Sequence, residues 1–115
     1  MSDDVVSTAA RAAAERLSPD LGPGLAAEVE TALNAQQAPG NDQYFDPVSL
    51  GSLIVSVVGL AWTIYTDLRK RKSPDPEAGV AEAVRAELSE RGQDDPATQD
   101  KITKVIVIEV VKAAA

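Results

Sequence analysis

Two carboxylates stand side by side at Asp94 and Asp95, the kind of pair that can divide general-acid and general-base work. Their context argues for another role. Asp95 precedes Pro96, as Asp75 precedes Pro76 and Asp46 precedes Pro47. An aspartate in that position accepts from the orphan amides of a first helical turn, and proline fills the next position, where an N–H would go unpaired anyway. The chain has no cysteine and no histidine, so thiolate nucleophiles, imidazole bases, disulfides and His or Cys zinc sites are excluded. LGPGL at residues 21–25 lacks the spacing and the lysine of a phosphate-binding loop, and the acids do not cluster in a metal-loop pattern. No catalytic, cofactor-binding or metal-binding residue is expected, and the chain is not expected to be an enzyme.

The other side chains with a pattern are hydroxyls. Ser49, Ser52, Ser56, Gly59, Thr63 and Thr66 recur at spacings of three and four, which keeps them on one helix face. Small residues let two backbones approach, and hydroxyls can hydrogen-bond across such a contact. The competing reading is the wet side of a soluble amphipathic helix, but no charge appears on this face. The stripe therefore predicts a helix-packing face, with a homo-oligomer formed through it.

That face belongs to PVSLGSLIVSVVGLAWTIYTDLRKRK, residues 47–72. From residue 48 to residue 66 nineteen positions carry no charge and twelve are apolar. A membrane span needs about 20 mostly apolar residues. The chain's four aromatics, Tyr44, Phe45, Trp62 and Tyr65, flank or end this one segment, as membrane-interface anchors do. Arg69, Lys70, Arg71 and Lys72 follow directly, while Asp42 and Asp46 precede. Basic residues beside a span stay on the cytoplasmic side. The expectation is a transmembrane helix in contact with membrane lipid, in a bacterial plasma membrane, with the N-terminus outside and the C-terminus cytoplasmic. A buried core helix with aromatics at its ends would read the same by length.

The remaining elements frame this segment. Val6, Ala9, Ala10, Ala13 and Leu17 predict a helix over residues 3–17, broken by SPDLGPG. Leu25, Val29, Ala32 and Leu33 predict a second, and QQAPGND a linker. The narrow alanine stripe suggests a loosely held polar appendage. Val80, Val84 and Leu88 mark a helix from Pro76 to about Glu90, ended by Gly92. Residues 104–111, KVIVIEVV, are rich in β-branched residues and could form a strand. The Asp95-Pro96 start and the closing alanines favour a helix whose apolar face holds Ile102, Val105, Ile106 and Val110. This second stripe is wider than the first, so pairing leaves an apolar strip on residues 76–112 for an unidentified protein partner. The fold class is all-α: an N-terminal hairpin, one long apolar helix and a C-terminal helical pair. The regions are 1–43 acidic, 44–72 spanning, and 73–115 cytoplasmic. Net charge is −7, with two basic and eight acidic side chains in residues 1–46, which argues against nucleic acid.

GLAWTIYTDLRKRK, residues 59–72, resembles a stretch of small bacterial single-pass membrane proteins, some associated with bacterial conflict systems. The likeness covers about residues 45–112 and implies an apolar helix running into a basic flank and a short helical region. It assigns no activity and no residue roles. Three functions are compatible with these features: a membrane-anchored adaptor, an oligomerising holin- or toxin-like permeabiliser, and a soluble helical interaction module.

Overall fold

A computed structural model describes residues 2–37, 50–93 and 95–114, and among them all regular secondary structure is α-helix. Five helices follow one another: α1 (Ser2–Leu21), α2 (Leu25–Gln37), α3 (Leu50–Lys70), α4 (Pro76–Glu90) and α5 (Pro96–Ala114). Residues 104–111 lie within α5, so the β-branched run is helical. Its apolar residues recur at helical spacing and bury one side, which outweighs the β preference of valine and isoleucine taken singly. The Asp46-Pro47 start, the QQAPGND linker beyond Gln37, and Asp94 lie outside the described residues.

Helix ends follow local chemistry. The Asp75 carboxylate accepts from the Ala78 amide at 3.2 Å, and Asp95 accepts from the Thr98 amide at 2.9 Å and the Thr98 hydroxyl at 2.7 Å. Gly92, at φ 91°, turns the chain after α4, and the Gln93 amide donates back to the Leu88 carbonyl at 2.8 Å. α1 runs past the expected break at Ser18-Pro19 to Leu21. Pro19 falls in the last turn, where it removes only the bond to the Glu15 carbonyl, and both residues face solvent. Gly22, at φ 123°, then ends the helix with its amide on the Ser18 carbonyl at 2.9 Å.

α3 touches all four other helices, and those four form an incomplete ring around it in the order α2, α1, α5, α4. Among the described residues α2 and α4 do not meet, so the ring is open on that side. Ile54, Val57, Val58 and Ala61 of α3 are fully buried, facing Leu17, Val29, Val84, Leu88, Ile102 and Ile106 in one hydrophobic core. The radius of gyration, 13.4 Å, is that of a single packed domain of this length. The N-terminal hairpin is part of this core, contrary to the appendage its composition suggests. Ala10, Ala13, Ala14 and Leu17 are fully buried, and α1 packs most extensively on α5. Alanines let the two backbones approach closely, and ion pairs flank the contact: Arg16 Nε to Glu109 Oε2 at 2.7 Å, and Lys101 Nζ to Asp20 Oδ1 at 2.9 Å.

Candidate functional site

The residues singled out on α3 separate once the helix is placed in its ring. Ser52 is buried, Ser56, Gly59 and Thr66 are half-buried, and Thr63 is exposed, so the stripe runs along the side that faces the opening between α2 and α4. Thr63 donates to the Gly59 carbonyl and Thr66 to the Thr63 carbonyl, each at 3.0 Å, so both hydroxyls are satisfied within their own helix. A Cβ added at Gly59 would meet nothing within 4 Å. Tyr65 is buried, with the Arg69 guanidinium 5.6 Å from its ring centroid, and Trp62 is half-buried against the core. Arg69 and Lys70 occupy the last turn of α3, where cations oppose the helix dipole. Arg71 pairs with Asp67 at 3.2 Å, and Lys72 adopts a left-handed conformation at φ 57° as the chain leaves the helix. Tyr44, Phe45 and Ser49 lie outside the described residues.

The close helix contact on α3 is one the stripe omits. Gly51 is buried against α2, its amide donates to Glu28 Oε1 at 3.0 Å, and an added Cβ would overlap the Glu28 backbone and sit 2.7 Å from the Val29 nitrogen. Nothing in the sequence distinguishes Gly51 from the stripe glycine one face away. Glu109 was also missed. It is an acid inside an apolar run and is nearly fully buried beneath Arg16, and its break in the apolar pattern is the signal that it faces a cation.

The C-terminal pair is where apolar and charged groups converge on open surface. α4 and α5 are antiparallel, closed at the loop by Gln99 Nε2 donating to Ser89 Oγ at 2.7 Å. Val80, Val84 and Leu88 of α4 and Ile102, Ile106 and Val110 of α5 are buried, with Val105 half-buried. Outward from that seam lies a shallow groove of about 220 Å³ lined by Ala81, Arg85, Thr103, Lys104, Val107 and Ile108. Ile108 is 43% exposed, the one large hydrophobic so exposed among the described residues. The Thr103 hydroxyl is buried without a hydrogen-bond partner. At one end Asp100 bridges Arg85 at 3.2 Å and Lys104 at 3.0 Å, and these cations, Lys104 first, hold its carboxyl below the usual carboxylate range.

Apart from Arg85 of α4 and Asp100 of α5, which pair with each other, the exposed charges divide by sign between the two helices. α5 presents Lys101, Lys104 and Lys112 around Ile108, while α4 presents Glu77, Glu82 and Glu90. No group of three acids among the described residues is placed to hold a metal ion. The geometry suits the docking of another apolar surface with charges at its rim. No family model, curated protein or solved structure matches the chain, so its own geometry carries the functional reading.

Proposed function

We propose that the chain works as a helical interaction module, a small bundle that presents its α4–α5 face to another protein surface. The observation that carries this is Ile108, exposed at the lip of a groove whose floor is Ala81 and Val107 and whose rim is charged. An apolar strip framed by charge is the usual form of a helix-docking surface. A photo-crosslinking amino acid at Ile108 in the full chain tests it, with the exposed Thr31 on α2 as control. Discrete protein adducts are expected at 108 and not at 31. If neither position gives adducts, the module reading fails.

A membrane-anchored adaptor is the second reading, favoured by α3 alone, which is long and apolar enough to cross a bilayer. In that form Arg69 to Lys72 hold the C-terminal helices in the bacterial cytoplasm and the acidic N-terminal region lies outside. The stripe of Ser52, Ser56, Gly59, Thr63 and Thr66 then pairs copies in lipid, and a permeabilising oligomer uses the same contact. Half of the apolar stretch is buried inside the bundle, so this form requires the other helices to leave α3. Carbonate extraction separates the two readings.

A further inference from the structure

We infer that the occupant of the α4–α5 groove is the same face of a second copy of this chain, the two related by a two-fold axis running along the helices. This rests on the module reading and names its partner. The division of charge supports it. α5 carries the exposed Lys101, Lys104 and Lys112, and α4 the exposed Glu77, Glu82 and Glu90. The charges of opposite sign, Arg85 on α4 and Asp100 on α5, pair with each other, so the face keeps a net dipole with an apolar seam at its centre. A two-fold axis parallel to the helices lays each α5 on the other copy's α4, basic on acidic, whereas an axis across them would stack like on like.

Register follows from contacts within one copy. Arg85 sits level with Asp100, and Ala81 shares the groove with Thr103, Lys104 and Val107. The chains run in opposite directions, so Glu82 stands level with Thr103 and Lys104, and Ala78 with Val107 and Ile108. The axis preserves those levels. Ile108 of one copy therefore meets the second copy's exposed Ala78, whose small side chain leaves room for it. Lys104 meets the second copy's Glu82. Each contact occurs twice in the pair. The two helices have 15 and 19 residues, about 22 and 28 Å at 1.5 Å per residue. That is a small face for a stable dimer, and a dissociation constant of roughly 10–100 µM is expected.

Sedimentation of the full chain from about 1 µM to 1 mM, at low and high salt, is the test, with the range set to bracket that constant. A dimer is expected that weakens with salt. Ile108→Ser should weaken it about tenfold, because an apolar anchor is lost at two places. Lys104→Glu and Glu82→Lys should each weaken it by on the order of tenfold, since each substitution places two like-charged pairs in contact. Mixing the two single variants should restore association, because a mixed dimer opposes the two substituted positions, Lys104→Glu and Glu82→Lys, at one contact and the native Glu82 and Lys104 at the other. No change within one chain produces that rescue, and circular dichroism checks that each variant stays helical. A monomer throughout the range, indifference to Ile108→Ser, or failure of the mixture to rescue would overturn the proposal. If the chain is monomeric while the residue at 108 crosslinks to a different protein, the second copy is ruled out and the module reading stands.

Discussion

Gly51 and Gly59 lie on the same helix and meet opposite surroundings. At Gly51 a methyl group would run into the backbone of α2, where the Glu28 carboxylate also receives the Gly51 amide. Gly51→Ala therefore gains helix propensity of about 1 kcal/mol and loses about 1–3 kcal/mol to overpacking. A net fall in unfolding free energy is expected by denaturant titration. Gly59 faces open space, so Gly59→Leu should leave stability unchanged or raise it by up to about 1 kcal/mol. A loss larger than that at Gly59 would show a partner packed on the stripe. Spacing along the sequence places the small residues on one side of α3. It did not distinguish a glycine required by a neighbouring backbone from one on an uncovered surface, because that depends on where α2 arrives.

At the scale of the element, the helices whose signals are local were the legible ones. α4 and α5 begin at their Asp-Pro pairs and bury the stripes their periodicity marked. α1 ran longer than expected because Pro19 falls in a solvated last turn. The caps have a consequence for acid stability. The Asp95 carboxyl is held below its ordinary range by the Thr98 hydroxyl and amide, Asp100 by Lys104 and Arg85, and Glu30 by Arg11. A carboxyl whose folded pKa is depressed contributes stability above its unfolded pKa and loses it as pH falls through the folded value. The melting temperature should therefore hold near neutrality and drop below about pH 4, where unfolded carboxylates titrate. Asp95→Asn keeps an acceptor for the cap while removing the titration, so its melting temperature should fall less steeply on acidification than that of the parent chain. An equal slope would show that Asp95 does not contribute.

At the scale of the molecule, one energetic comparison separates a core helix from a span. Moving α3 into lipid leaves its own side chains in apolar surroundings, so α3 itself loses little. The other helices lose the surface they bury against it, including Leu17, Val29, Val84, Leu88, Ile102 and Ile106. Each such side chain is stabilised by about 1.5–3 kcal/mol when buried, so re-exposing even half of them approaches the roughly 5–15 kcal/mol that holds a domain together. The full chain is accordingly expected in the supernatant after carbonate extraction of a membrane fraction, and retention in the pellet would favour the anchored form. This comparison was not legible in the sequence. Length and apolar content are the same for a sheathed helix and a spanning one, and the sheath includes α1, whose alanines carry little signal by themselves.

The pairing of α1 with α5 bears on how the chain is made. α1 leaves the ribosome long before α5, and between them α2, α3 and α4 must emerge and find their places. During that interval the alanine face of α1 has only α2 and α3 to rest on. Nor can Arg16 reach Glu109 until α5 is complete. Contacts that join distant parts of a chain form late and slow the approach to the finished fold. Until α5 is made, the partly built chain is therefore open on the side that α5 will cover, with the apolar flank of α3 facing solvent.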